Sequence, residues 1–167
     1  MSERLDVRRG TESDLAGIND IYNHYVVETH VTFDVDPIDM DARRRWFEGF
    51  ADEGPHRLFV ADAGGRVIGY AASRPHKDRP GYRTTVETMA YCHPDATGRG
   101  VGSQLYERLF AALDGQPLRR AVAGVALPND ASLALHRRFG FVEVGTFSEI
   151  GYKLGRYWDV TWLEKAL

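Results

Sequence analysis

The sequence predicts an α/β domain with a mixed sheet. Three observations predict it: elements in the order β-α-α-β-β-β-α-β-α-β-β, one nearly continuous apolar strand between two amphipathic helices, and two strands closing the chain. The first strand is Leu5-Asp6-Val7, which alternates apolar and polar. Thr11 stands where a helix N-cap would, with Asp14 three residues on as an approximate capping box. Leu15, Ile18, Tyr22 and Tyr25 then recur at helical spacing, so one face of the first helix is expected to be buried. ETHVTFDVDP is irregular and ends in proline, which reads as a loop over the domain surface. A second amphipathic helix is expected from Asp41 to Phe50, with Trp46, Phe47 and Phe50 inward.

A hairpin follows. Arg57–Ala61 and Arg66–Ala72 flank Asp62-Ala63-Gly64-Gly65, whose glycines supply the positive φ angles of a tight turn. RPHKDRPGYR reads as a polar loop leading into the β-rich strand Thr84–Cys92. After a glycine segment, Leu105, Leu109 and Leu113 mark a helix. Ala121–Leu127 (AVAGVAL) reads as a strand buried on both faces, as in a parallel pair. Asn129 caps the helix ASLALHRRF and Gly140 ends it. FVEVGTFSEI and GRYWDVTWLEKAL are the closing strands.

The 167 residues and 43% hydrophobic content fit one domain over 1–167 with a real core. Twenty-one Lys+Arg against 24 Asp+Glu give a net charge of −3, so no nucleic-acid partner is expected. No apolar run approaches the roughly 18 residues of a membrane helix, and no membrane partner is expected. MSERLDVRR lacks an apolar signal core, which points to a cytoplasmic protein. The single cysteine, Cys92, excludes an internal disulfide and a multi-cysteine zinc site. His24, His30, His56, His76 and His93 show no i, i+4 pairing, so no metal is expected.

The most informative stretch is Thr97-Gly98-Arg99-Gly100-Val101-Gly102-Ser103, between a strand and a helix. Successive glycines let several N–H groups converge, and the helix N-terminus adds positive potential, which together cradle phosphates. A tight turn with nothing bound has the same pattern. The spacing matches neither a P-loop, which needs a following Lys, nor the G-x-G-x-x-G of dinucleotide folds.

YCHPDATGRGVGSQLYERL resembles motif A of the GNAT N-acetyltransferase superfamily, and NDASLALHRRFGF resembles its motif B. More narrowly, IYNHYVVETHVTFDVDP, YRTTVETMAYCHP, NDASLALHRRFGF and GYKLGRYWDV resemble the phosphinothricin and methionine sulfoximine acetyltransferase branch, in the right order over nearly the whole chain. Two departures stand out. Thr97 sits where the family has Gln or Arg, and Met89-Ala90 where relatives carry a small polar residue and valine.

The resemblance implies a twisted, mostly antiparallel sheet with a splayed parallel strand pair at an acetyl-CoA site. The backbone of Ala90, Tyr91 and Cys92 would pair with the pantetheine, and Gly98, Arg99, Gly100, Val101, Gly102 and Ser103 would wrap the pyrophosphate. Asn129 and Ser132 would contact the cofactor arm, and His136 takes the place of a tyrosine near the departing thiolate. Glu87 occupies the position of the general base, and Phe33, Arg74, Pro75, His76, Arg83, Thr88 and Met89 would line the acceptor site. The implied reaction is direct acetyl transfer, in a ternary complex, to the α-amine of a small amino-acid-like acceptor, by a homodimer.

The residues themselves leave alternatives. Glu87 is either a partly buried, tuned base or a solvated sheet residue. His136 is either a thiolate neighbour or a satisfied structural histidine. Cys92 could carry acetyl, but no His/Asp partnership accompanies it. Arg74 and Arg83 flank a cationic loop that either faces water or grips a carboxylate, with Lys77 and Arg79 as substitutes. Acetylation of protein N-termini or lysines, and a non-catalytic acyl-CoA sensor, are the competing functions.

Overall fold

A computed structural model describes residues 5–167; the first four positions of the charged N-terminal segment, and of the domain expected over 1–167, lie outside the described residues. Seven strands form one sheet: β1 (Leu5–Arg9), β2 (Leu58–Ala63), β3 (Arg66–Pro75), β4 (Thr85–Cys92), β5 (Arg120–Ala126), β6 (Val142–Lys153) and β7 (Arg156–Ala166). Their spatial order is β1-β2-β3-β4-β5-β7-β6. All neighbours are antiparallel except β4 and β5. The helices are α1 (Leu15–Glu28), α2 (Met40–Phe47), α3 (Val101–Leu113) and α4 (Asp130–Arg138).

Strand alternation sends side chains to two separate cores. Leu58, Val60, Tyr70 and Ala72 join Leu15, Ile18 and Ile21 of α1 on one face. Phe59, Ala61, Ala71 and Val86 join Leu105, Tyr106 and Leu109 of α3 on the other. The Asp14 carboxylate accepts the Thr11 N–H at 2.8 Å, as the capping box requires, and also binds Arg8 of β1 at 2.8 Å. Burial pushes the Asp14 carboxyl up, but the hydrogen bonds from Arg8 and Thr11 outweigh it and hold the carboxyl below its ordinary value.

Four elements differ from the sequence reading: β2 takes in Asp62 and Ala63 of the expected turn, β6 runs on past Ile150 to Lys153, and α2 and β3 have other ends than expected. α2 ends at Phe47, not Phe50: Asp39 caps it by accepting the Ala42 N–H at 2.7 Å, and after Phe47 the chain breaks into tight turns at Gly49 and Phe50. β3 runs on through Arg74 and Pro75, which the polar composition assigned to a loop, because they pair with Glu87 and Val86 of β4. The hairpin turn holds Gly64 and Gly65 at φ of 63° and 91°, as expected. β6 is an edge strand whose residues are exposed over nearly its whole length.

Candidate active site

The site begins where the one parallel pairing fails. β4 and β5 are in register only at Thr85–Arg120, Val86–Ala121 and Glu87–Val122. Beyond Glu87, β4 stays with β3 and β5 stays with β7, so a gap opens between Thr88–Cys92 and Ala123–Ala126. The hydrogen-bond pattern shows which backbone groups face it. His93 N–H donates to Ile68 C=O at 2.8 Å, so by antiparallel alternation Tyr91 and Met89 also bond to β3. Arg119 N–H donates to Thr84 C=O at 2.8 Å, placing the even-numbered residues of this stretch toward β5. Thr88, Ala90 and Cys92 therefore present their backbone groups to the gap, while the Tyr91 backbone is committed to β3. Of the three residues expected to pair with pantetheine, Ala90 and Cys92 turn their backbone groups to the gap and Tyr91 does not, and the Cys92 C=O accepts the Tyr25 hydroxyl at 2.6 Å.

On the α3 face of the gap lies a cavity of about 590 Å³. Its walls include Thr97, Gly98, Gly100, Val101, Gly102 and Ser103 of the glycine turn, and Asn129, Ser132 and His136 at and within α4. Gly98 and Gly100 have φ of 72° and 77°, and a β-carbon on either would meet no other atom of the protein within 4 Å. Their freedom serves the backbone turn and the open space above it. Gly102 differs: a β-carbon there would lie 3.3 Å from Leu135 Cδ2, so this glycine lets α4 pack close. Gly100 caps α3 with no side-chain hydrogen bond, which leaves the first-turn N–H groups available to an anion. At α4, by contrast, Asn129 Oδ1 accepts the Ser132 N–H at 3.1 Å. Thr97 turns its hydroxyl back to Pro94 C=O at 3.0 Å, away from a phosphate role. Arg99 is exposed and does not form part of this wall. Open space over left-handed glycines beside an uncapped helix end fits a pyrophosphate, and the cleft leading to the gap fits the arm behind it.

On the α1/α2 face a second cavity of about 560 Å³ is lined by Phe33, Arg74, Glu87, Thr88 and Met89, all expected there. Glu87 sits between the Arg74 guanidinium, with Nη2 at 3.3 Å, and the His76 ring, with Nδ1 at 3.5 Å. His76 touches Glu87 without lining the cavity, and Pro75 only continues the strand. Arg83 is exposed and off both cavities, because the chain turns away at Pro80–Tyr82 before β4 begins. The Phe33 ring packs against Gly151, where a β-carbon would overlap its Cζ. Its loop is fastened by buried Lys153, whose ammonium donates to Thr32 C=O at 2.7 Å. Burial lowers the Lys153 pKa.

The residues that sequence reasoning missed are the aromatic and cationic wall: Tyr22, Arg43, Trp46, Tyr70 and Trp162. Helical spacing marks Tyr22 and Trp46 only as packing residues, and Arg43 carries no local signal, since it sits in an Arg-Arg-Arg run that reads as solvated surface. The two cavities share Val31, Thr88, Met89, Tyr91, Gly124 and Ala126, so they meet through the gap.

His136 is 5% exposed, with both ring nitrogens engaged: Nδ1 lies 2.7 Å from Ser132 C=O and Nε2 lies 2.9 Å from the Tyr106 hydroxyl. Nδ1–H donates to the carbonyl and Nε2 accepts from the phenol, an arrangement of the neutral ring. Burial lowers its pKa, in agreement. It lines the cavity on the α3 face with both ring nitrogens already engaged. Tyr106 also reaches Thr88 Oγ1 at 3.4 Å. Burial pushes the Cys92 thiol up to about 11, which disfavours the thiolate that an acetyl carrier would need. Among the described residues no group of three His, Cys, Asp or Glu could hold a metal ion, and no helix is long and apolar enough to cross a membrane.

Known proteins agree with this geometry. A phosphinothricin N-acetyltransferase of Streptomyces coelicolor is 52% identical over 98% of this chain and 96% of its own length. An L-methionine sulfoximine/L-methionine sulfone acetyltransferase of Pseudomonas paraeruginosa is 37% identical over 96% and 94%. The crystal structure of a phosphinothricin acetyltransferase from Sinorhizobium meliloti in complex with acetyl-CoA superposes with a TM-score of 0.92 at 29% identity, covering 98% and 88%. Residues 18–141, from α1 past α4, match the model of the acetyltransferase (GNAT) family. Strand splay, glycine turn and sequence thus lead to one conclusion: this chain belongs to the GNAT acetyltransferase family.

Proposed function

We propose that this protein is a cytoplasmic, acetyl-CoA-dependent N-acetyltransferase of small amino-acid-like amines, of the phosphinothricin, methionine sulfoximine or methionine sulfone type, acting as one domain over 1–167. The observation that carries the reading is the meeting of two cavities at the β4–β5 gap, with Glu87 lining one and the glycine turn lining the other. Bound acetyl-CoA supplies an acetyl group activated as a thioester. Gly98, Gly100 and the first turn of α3 hold its pyrophosphate, with Ser103, Asn129 and Ser132 along the same wall. The Ala90 N–H, free at the gap, is the donor for the carbonyl oxygen on which charge builds. Glu87 accepts the proton that the acceptor ammonium must lose before its nitrogen can attack. Arg74, 3.3 Å from Glu87, is placed for the α-carboxylate one carbon from that nitrogen. Thr88 lines both cavities with the Tyr106 hydroxyl 3.4 Å from its Oγ1, which supports its hydroxyl as the partner of the departing thiolate.

The β6–β7 hairpin exposes Val142, Val144, Phe147, Ile150, Tyr152, Leu154 and Tyr157 next to an unpaired edge. A contiguous apolar strip on an edge strand suits a second copy of the chain, and supports a homodimer. The test of the function is thiol release from acetyl-CoA against three panels: free amino acids with the sulfone, sulfoximine and phosphinate compounds, lysine peptides, and spermidine. Turnover is expected only in the first. Efficient use of spermidine or lysine peptides would reverse the assignment, and no thiol release with any panel would favour a sensor.

A further inference from the structure

The acceptor cavity holds a feature that the transfer chemistry does not use. Arg43 is 3% exposed and lies on α2 with its guanidinium 4.5 Å from the Trp46 ring and 4.9 Å from that of Tyr22. Its Nε donates to Asn19 Oδ1 at 3.0 Å, while Nη2 has no hydrogen-bond partner. No carboxylate among the described residues forms an ion pair with it; Asp34, on the same wall, is engaged by the Tyr22 hydroxyl at 2.5 Å. The Tyr70 hydroxyl is likewise buried and unpartnered, with Tyr70 0% exposed and its ring 6.0 Å from Trp46. Both residues line the acceptor cavity.

A guanidinium is always charged, and burying it without an anion is unfavourable. An unmade hydrogen bond on a buried phenol is a second penalty at the same wall. Two such groups around one indole, in a cavity that opens on the reacting gap, are relieved together by a ligand carrying acceptor oxygens. The α-amine and α-carboxylate of the acceptor are already provided for at Glu87 and Arg74, on adjacent strands. What remains is the side-chain end.

We propose that Arg43 and Tyr70 form the specificity pocket for the distal end of the acceptor, donating hydrogen bonds to the oxygens of a tetrahedral sulfone, sulfoximine or phosphinate. The inference rests on the acceptor class proposed above and adds the residues that select it. A thioether or plain alkyl chain of the same length leaves both donors unmet, so the pocket discriminates by missing bonds more than by shape. Phosphinate, an anion, gains most from Arg43.

The experiment is calorimetric binding of methionine sulfone, methionine and phosphinothricin to the full chain with coenzyme A, for the parent, Arg43→Met and Tyr70→Phe, with turnover measured in parallel. The parent is expected to bind the sulfone at least about tenfold more tightly than methionine. Tyr70→Phe, which removes one oxygen, should cut that ratio about fivefold, and Arg43→Met should cut it more, with the largest loss for phosphinothricin. A parent that binds the sulfone no better than methionine overturns the proposal. So do variants that weaken both ligands equally, the signature of a packing role or of a buried water. If Arg43→Met fails to fold, the Tyr70→Phe ratio decides. Binding discrimination without any turnover would sink the proposed function while leaving this pocket standing.

Discussion

The two halves of the cleft are built from different material. The α3 side offers mostly backbone from two short runs, Thr88–Cys92 and Thr97–Ser103, with Asn129 and Ser132 added at the head of α4. The α1/α2 side is a wall of side chains drawn from α1, α2, the loop between them, β3, β4 and β7. A backbone cradle reads any ligand that carries the same phosphates and asks little of side-chain identity beyond glycine. A side-chain wall is where one acceptor is told from another. Substitutions should therefore separate cleanly: cofactor effects from the turn, acceptor effects from the wall, and turnover effects from the one carboxylate near their junction.

The largest effect is expected at that junction. Glu87→Gln should lower turnover at neutral pH by about 10²–10⁴-fold with acetyl-CoA affinity kept, and recover part of it at high pH, where the amine is already neutral. Parental turnover at pH 7 would show that another group takes the proton. Next comes the turn. Gly100→Val forces a branched residue to φ 77°, a strain of about 1–2 kcal/mol, and fills the space over the cradle. Calorimetry should show acetyl-CoA binding at least about tenfold weaker with the acceptor KM little moved. Gly102→Ala, which only presses on Leu135, should give a much smaller loss.

The same division explains what was legible in the sequence. Glycines at Gly98, Gly100 and Gly102 announce a turn because each is a local backbone demand. The resemblance of the surrounding blocks then supplied acetyl-CoA, the splayed pair and Glu87. It could not say that Gly102 serves helix packing while the other two serve the turn; that depends on Leu135, 33 positions away. Polar composition misplaced Arg74 in a loop, since strand pairing with Glu87 is a tertiary fact. It also made Arg83 look equivalent to Arg74, though only one faces the cavity. Arg43 and Tyr70 were invisible as a pair because α2 and β3 meet only in the fold.

Smaller effects sharpen the contrast. Arg74→Ala should raise the acceptor KM about fivefold, a charge-assisted contact discounted for its 45% exposure, while Arg83→Ala should leave both KM values near the parent's. Equal effects of the two would return Arg83 to the site. The smallest concerns stability alone. Burial lowers the pKa of His136 and of His56. The unfolded chain therefore takes up protons that the folded one refuses as pH falls below about 6.5, and stability is lost in that direction. Urea midpoints should decline from pH 7.5 to 5.5, and the slope should flatten in His56→Asn.

Direct transfer requires that both substrates occupy their cavities together and meet through the β4–β5 gap. Initial velocities measured with acetyl-CoA and methionine sulfone both varied test it directly. Direct transfer predicts intersecting double-reciprocal lines, with Cys92→Ala retaining turnover because the buried thiol, pushed up to about 11, takes no part. Parallel lines, together with an acetylated protein isolated in the absence of acceptor, would contradict it.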